Sequence, residues 1–306
     1  GLAGRLEARA SRLDGAHRSP GARVKVAYQG IRGAYSEEAG LRHFGSRCSM
    51  LGRELSSEAV DAVEKDRADF GILPVENSIA GPVGVNTDLL LSRNVAIVGE
   101  VYLPIRHCLL AAPGTTLKSV ASVYSHPIAI AQCSKFLRRH KLKAIPEYDT
   151  AGSAELVARR AVAGEAAIAS ERCARIYGLK ILARNISSES TNITRFLAFA
   201  RIDRVPRGLK REKTSLAFTA KHKPGALLRC LQRFADQGIN LTRLESRPVP
   251  ENPFAYVFFV DFMGGTHIAP VKAALRELAR DARRIKILGS YPAGRRPAKD
   301  DLLGTS

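Results

Sequence analysis

The sequence has no tryptophan and only 6% aromatic residues. It also lacks zinc-finger spacing and an RNP-like aromatic stripe, so the usual platforms for reading or stacking nucleobases are missing. No apolar run is long enough to span a bilayer, which argues against a membrane protein. The five cysteines, Cys48, Cys108, Cys133, Cys173 and Cys230, are odd in number, scattered and without metal-ligand spacing. Reduced core thiols in a reducing compartment account for them. Acidic residues are few beside basic ones, 29 Asp and Glu against 48 Lys and Arg, giving a formal net charge of +19. The basic residues cluster in 135–143, in 201–213 and after Arg284, on separate elements. Solvated faces and attraction for a small anion explain this excess, and no nucleic-acid partner is expected.

What is present is an alternation of strands and helices. At 306 residues the chain is long enough for two domains. Residues 1–23, rich in Ala, Gly, Arg and Ser without an apolar signal core, read as a basic leader, either disordered or an organelle-targeting remnant. From residue 24, apolar strands alternate with amphipathic helices, the pattern of an α/β fold. A strand over 24–28 runs into Gly30 and Gly33, whose turn is expected to bring backbone N–H groups toward a ligand. Ser36 is expected to cap the following helix. A strand over 70–75 ends in Glu76-Asn77-Ser78 and a Gly81-Pro82 turn. Another, over 122–124, leads through Ser125-His126-Pro127 into a helix over 128–137 carrying Gln132. His126 fits either a turn residue or a catalytic base.

The stretch from Thr191 to Phe196 opens a buried strand, so Thr194 and Arg195 stand where a rigid element leaves a loop. A hydroxyl beside a guanidinium suits an anionic, oxygen-rich substrate. Polar residues at facing strand ends describe two α/β lobes with a cleft, over residues 24–202. Residues 203–212, basic and containing Pro206 and Gly208, read as a linker. Residues 213–292 follow a ferredoxin-like βαββαβ pattern with a last strand over 286–288. The helix there is expected to turn Leu227, Leu228, Leu231 and Phe234 to one face. This unit is poor in acid–base candidates and reads as a binding or pairing module, followed by a tail over 293–306.

These stretches carry a resemblance. Tyr-Gln-Gly…Gly-Ala-Tyr-Ser over 28–36, Pro-Val-Glu-Asn-Ser over 74–78, and Gly-Glu-Val…Leu-Pro…His-Cys-Leu-Leu over 99–110 occur in order. Ser-His-Pro…Ala-Gln-Cys over 125–133, Ala-Ala-Ile-Ala-Ser over 166–170 and Asn-Ile-Thr-Arg-Phe over 192–196 complete the set. In these motifs the chain resembles the prephenate dehydratases and the similar arogenate dehydratases. Residues 214–292 resemble their ACT regulatory domain, with Gly225-Ala226-Leu227-Leu228 and Glu245-Ser246-Arg247-Pro248 matching its phenylalanine-binding motifs.

The resemblance implies a bilobed, periplasmic-binding-protein-like dehydratase domain with Thr194 as catalytic donor. It gives Arg195 a site-organising or carboxylate-binding role, and Phe196 a role in packing and water exclusion. Tyr35, Asn77, Ser78, Ser125, Gln132 and Asn192 are implied to orient substrate. Gly225–Leu228, Asn240 and residues 245–248 are implied to bind phenylalanine between domains of a homodimer or homotetramer. Neither metal nor organic cofactor is implied, and the location expected is soluble, in a plastid stroma or the cytoplasm. Three positions depart from the family pattern: Pro82 in place of a hydroxyl residue, Ile128 in place of Gln, and Arg32 where Pro is common. Pro82 lacks a backbone N–H, so weakened activity, an altered substrate preference or a binding protein without turnover is the alternative expectation.

Overall fold

The computed structural model describes residues 23–189, 191–221, 223–249 and 252–297. The expected leader, apart from Arg23, and the tail beyond residue 297 lie outside the described residues.

The first lobe begins with β1 (Lys25–Gln29), α1 (Tyr35–Phe44), β2 (Ser49–Arg53) and α2 (Ser56–Glu64). It continues through β3 (Phe70–Asn77), β4 (Gly81–Pro82), α3 (Gly84–Ser92) and β5 (Val95–Pro104). The chain then crosses to the second lobe, made of β6 (His107–Ala111), β7 (Ser122–Ser125), α4 (Pro127–Gln132), α5 (Ser134–Arg139) and β8 (Lys143–Pro146). α6 (Thr150–Arg160), β9 (Glu165–Ser170), α7 (Glu171–Tyr177) and β10 (Lys180–Ala183) complete that lobe. A second crossing returns the chain to the first lobe as β11 (Ile193–Arg201).

The first sheet has the order β2-β1-β3-β11-β5, with β4 on β3; the second has the order β10-β6-β9-β7-β8. β11 runs antiparallel between β3 and β5, so the returning strand lies in the middle of the sheet. It can do so because Phe196 to Ala200 are apolar on both faces and fully buried, as a central strand covered on two sides requires. The two crossings touch: Ile105 N–H donates to Asn192 carbonyl oxygen at 2.8 Å. The lobes also meet beside α7, where Ser170 Oγ donates to the Gly33 carbonyl oxygen at 3.0 Å and Arg172 Nε to Glu37 Oε2 at 3.0 Å.

The C-terminal unit comprises β12 (Lys213–Ala220), α8 (Ala226–Ala235), β13 (Leu241–Val249), β14 (Asn252–Met263), α9 (Ala269–Asp281) and β15 (Ala282–Tyr291). Its antiparallel sheet has the order β13-β14-β12-β15, the ferredoxin-like arrangement expected. On α8 the buried stripe is Ala226, Cys230 and Phe234, spaced by four. Leu228, expected on that stripe, is 67% exposed, because Cys230 takes the inward position.

The unit is docked firmly on the first lobe. Ala217, Phe259, Leu288 and Tyr291 share one apolar cluster with Ile97, Leu197 and Phe199. At Gly289 a Cβ atom would stand 2.2 Å from the Ile97 carbonyl oxygen, so only glycine allows β15 to lie so close to β5. β15 is longer than the expected 286–288, since Arg283, Arg284 and Lys286 interrupt its apolar reading. Lys286 belongs to the docking, donating to the Arg93 carbonyl oxygen at 3.1 Å.

Candidate active site

Thr194 stands at the junction, opposite Asn77 of β3 and Leu103 of β5. Asn77 Nδ2 donates to Thr194 Oγ1 at 2.9 Å and to Asn192 Oδ1 at 2.8 Å. Asn77 Oδ1 accepts from the backbone N–H groups of Ile79 at 3.0 Å and Ala80 at 2.8 Å. From the second lobe, Gln132 at the end of α4 joins them: its Nε2 donates to Asn77 Oδ1 at 3.3 Å. Gln132 Oε1 accepts from Asn192 Nδ2 at 2.9 Å. Ser78 clamps the incoming strand, its hydroxyl donating to Thr191 carbonyl oxygen at 2.7 Å and accepting from Ile193 N–H at 2.9 Å. The sequence-selected Asn77, Ser78, Gln132, Asn192 and Thr194 thus form one connected group around the crossing.

Tyr35 joins through a residue that the sequence reading did not select. His107 Nε2 lies 2.9 Å from Gln132 Oε1, and His107 Nδ1 lies 3.1 Å from Tyr35 Oη. His107 is 2% exposed, and burial holds its ring below the ordinary histidine range, with the Gln132 bond pulling partly the other way. Burial also raises the Tyr35 phenol well above its ordinary value, so it keeps its proton. The available signal for His107 was a polar residue opening an otherwise apolar strand, just after a lobe crossing.

Other expectations need correction. Arg195 does not present its guanidinium to the cleft with Thr194, because neighbours along a strand point to opposite faces. Its side chain is buried under the C-terminal unit, donating to Glu100 Oε2 at 2.8 Å, to Asp261 Oδ2, and to Tyr291 Oη at 3.2 Å. Lys213 Nζ meets the same Glu100 at 2.9 Å, and Ser215 Oγ meets Asp261. Burial opposes the charge of Arg195, but Asp261, Tyr291 and Glu100 hold its pKa above the ordinary value. Burial likewise opposes the Asp261 charge, while Arg195, Arg243 and Ser215 keep this carboxyl below its ordinary range.

Ser125 has no exposed surface and donates to the Ile168 carbonyl oxygen at 2.7 Å, so its hydroxyl secures the sheet end. The N–H groups of the first glycine turn are also spent inside the protein: Gly30 N–H donates to Arg53 carbonyl oxygen at 2.8 Å and Gly33 N–H to Glu37 Oε2 at 2.8 Å. Ser36 lies inside the first turn of α1 rather than at its cap, which is Ala34. His126 caps α4, its Nδ1 accepting from Ile128 N–H at 3.2 Å, which is the turn role. Cys133 divides the expected helix over 128–137 into α4 and α5. Phe196 packs in the first-lobe core beside Tyr28, Phe44 and Leu103. Pro82 and Ile128 are both solvent-exposed. Burial raises the Cys133 thiol to about 12 and the Cys173 thiol to about 11, so both stay protonated in the core.

The positions selected for phenylalanine divide between two elements. Gly225 caps α8 in the left-handed region (φ 71°), ahead of Ala226, Leu227 and Leu228. Glu245, Ser246, Arg247 and Pro248 lie on β13, the edge strand, with Asn240 just before it. Ser246 and Pro248 are exposed, whereas Glu245 and Arg247 turn toward the first lobe. Arg247 Nε donates to Asp88 Oδ1 at 3.2 Å, and Glu245 is paired with Arg243, which also reaches Thr87 Oγ1 at 3.3 Å.

Known proteins resemble this chain along most of its length. A family model described as prephenate dehydratase matches residues 26–204, and one described as ACT domain matches residues 214–280. The chain is 42% identical over 283 residues to arogenate dehydratase/prephenate dehydratase 2, chloroplastic, of Arabidopsis thaliana, covering 90% of this chain and 74% of that protein. A prephenate dehydratase from Arthrobacter aurescens, solved in complex with L-Phe, superposes with a TM-score of 0.79 at 30% identity, over 90% of this chain and 92% of that one. A protein described as a novel type of quorum quenching acylase superposes with a TM-score of 0.80 at 36% identity, over 88% and 98% of the two chains. With the dehydratase model spanning more than half of its residues and both lobes of the junction, the chain belongs to the prephenate dehydratase family and carries an ACT domain after the dehydratase domain.

Proposed function

We propose that the protein is a carbon–oxygen lyase. It converts prephenate to phenylpyruvate or arogenate to L-phenylalanine, under control by phenylalanine through the ACT domain. The observation that carries this reading is the state of the Thr194 hydroxyl. Its oxygen accepts from Asn77 Nδ2, which leaves its own hydrogen available for donation to a bound substrate. In the reaction the bond to the ring carboxyl breaks and CO2 leaves, its electron pair entering the ring. The bond to the para hydroxyl breaks in turn, and that oxygen departs as hydroxide and takes up a proton to become water. Aromatisation provides the driving force. A donor aimed at the departing oxygen stabilises the charge that develops there.

In this reading Asn77, Gln132 and Asn192 hold Thr194 and orient substrate, and Tyr35 and Ser78 frame the cleft. Ser125 contributes by fixing the end of β7, and Arg195 supports β11 from behind. Amide hydrolysis finds less support, because a nucleophilic hydroxyl needs a base in hydrogen-bond reach and the partner of Thr194 is an amide donor.

Phenylalanine is read as binding between ACT domains of a homodimer or homotetramer. Edge strand β13, with exposed Leu244 and Ser246, and exposed Tyr256 and Leu228 nearby offer such a surface. Light scattering behind a sizing column reads the oligomer directly, and a monomer at working concentration overturns it. The location is read as a plastid stroma or the cytoplasm; the Arabidopsis relative is named chloroplastic, and no helix among the described residues is long and apolar enough to cross a membrane.

The deciding experiment is turnover of prephenate and of arogenate by the purified protein, side by side, with and without phenylalanine. The faster substrate names the enzyme. Phenylalanine binding without turnover of either would overturn the dehydratase reading in favour of a sensor on the same fold.

A further inference from the structure

We propose that His107 is a positioning residue for Thr194: its Nε2–H holds the Gln132 carbonyl oxygen, steadying an amide network whose sense the Ile79 and Ala80 N–H groups set, and its ring ties α4 to α1 across the lobes. The proposal rests on the dehydratase reading for its kinetic consequence, though not for its geometry.

The sense of the network follows from its backbone ends. The N–H groups of Ile79 and Ala80 can only donate, so the Asn77 atom they meet is Oδ1. Asn77 therefore turns Nδ2 to Thr194 Oγ1 and to Asn192 Oδ1. Asn192 is left with its own Nδ2 for Gln132, which makes Gln132 Oε1 an acceptor. The second group on that oxygen, His107 Nε2 at 2.9 Å, must then carry a hydrogen. Burial favours the neutral ring, so Nδ1 holds a lone pair facing Tyr35 Oη at 3.1 Å. The single Tyr35 hydrogen is offered to Nδ1 and to the Arg106 carbonyl oxygen at 3.0 Å.

One imidazole thus bridges α1 of the first lobe and α4 of the second from the first residue of β6, where the chain crosses. Neutral histidine is suited to this place because it offers one donor and one acceptor on opposite edges of a rigid ring. Without Nε2–H, Gln132 Oε1 keeps the Asn192 Nδ2 bond but loses its second donor, so the amide is held less firmly. Displacement of that amide passes through Asn192 to Asn77 Nδ2 and loosens the hold on Thr194 Oγ1.

The test compares two amide replacements. His107→Gln puts an amide nitrogen near the place of Nε2, whereas His107→Asn reaches only the place of Nδ1. His107→Asn is expected to lower kcat about tenfold, the worth of one hydrogen bond, with KM little changed and the protein still folded. His107→Gln is expected to stay within about threefold of the unaltered protein, by the same reckoning for a bond retained. Equal kcat in both variants and the native chain would overturn the proposal, as would equal losses in both. Independently, ring nitrogen-15 NMR of the unaltered protein, assigned with His107→Gln, is expected to show hydrogen on Nε2 and none on Nδ1. A ring with hydrogen on Nδ1 alone overturns the proposal even if the protein turns over neither substrate. Absence of turnover with the expected ring state overturns the dehydratase reading instead.

Discussion

Thr194 and Arg195 are consecutive on β11, yet they serve opposite sides of one sheet. Thr194 Oγ1 is held by Asn77 at the lobe junction, while the Arg195 guanidinium lies buried between Glu100, Asp261 and Tyr291 beneath the ACT domain. Strand geometry forces this division, since successive side chains alternate faces. A shift of the ACT domain that moves Asp261 therefore acts on the residue next to Thr194, through a short covalent path and a charged contact. Such a shift has the physical form that control by an effector needs, provided phenylalanine binds two arrangements of the domains unequally.

Removing the Thr194 hydroxyl is expected to lower kcat by roughly 100- to 1,000-fold, the usual loss for one donor to a developing oxyanion. Thr194→Ala removes only the hydroxyl and one methyl group from a residue held mainly by its strand pairing, so it is expected to keep the fold by circular dichroism. Thr194→Ser retains the hydroxyl and is expected to keep most activity. Near-normal turnover by Thr194→Ala would remove Thr194 from the mechanism.

Arg195→Met leaves the Asp261 carboxylate buried with the Ser215 hydroxyl as its side-chain partner in the cluster, since Lys213 reaches Glu100 and Tyr102 instead. Breaking a buried ion pair from one side costs about 3–5 kcal/mol. Urea unfolding is expected to show that loss, and the phenylalanine response is expected to weaken with it. A variant as stable and as responsive as the native chain would mean that the cluster neither anchors nor couples the two domains.

Stability is expected to fall as the pH drops below about 6.5, the value of an unperturbed histidine. Burial holds both His107 and His126 below the ordinary range, opposed by Gln132 at the first and by Asp149 at the second. In that window the unfolded chain binds more protons than the folded one, so stability rises with pH. His107→Gln is expected to reduce the slope of unfolding free energy against pH on the acid side. An unchanged slope would place the acid sensitivity elsewhere.

At Gly225 the backbone is left-handed (φ 71°), and a Cβ would come within 3.2 Å of Arg229 Nη1. Gly225→Val is therefore strained in the stretch assigned to phenylalanine. It is expected to raise the phenylalanine concentration for half effect about tenfold, the equivalent of one lost contact of about 1.4 kcal/mol. Ser246→Ala is expected to move the same titration in the same direction. Calorimetric titration returning the native constant for both would move the effector site off these residues.

The sequence already displayed the parts of this molecule that depend on local pattern. Alternating apolar runs marked both lobes, and the ACT order followed from βαββαβ spacing. Asn77 and Thr194 were legible as polar residues at strand ends, while Gln132 and Asn192 were selected through the family motifs that carry them. The function of Arg195 was not legible, because its partners Asp261 and Tyr291 lie 66 and 96 residues further along the chain. Pairing across the sequence likewise hid Ser125, whose hydroxyl is taken by Ile168, and His107, whose meaning comes from α1 and α4 together. Short motifs report which residues are chemical; only the long-range pairing reports where they face.

The contact of Gly289 with the Ile97 carbonyl bears on how such a chain can be rebuilt. The ACT domain meets the first-lobe sheet over a footprint of matched relief, and the segment over 203–212 is part of that fit: Leu209 packs against the first-lobe core, and the Glu212 carbonyl oxygen accepts from Gly264 N–H at 2.8 Å. A foreign module grafted behind β11 would seat there only if it offered a bare backbone at the Gly289 position and an anion at the Asp261 position.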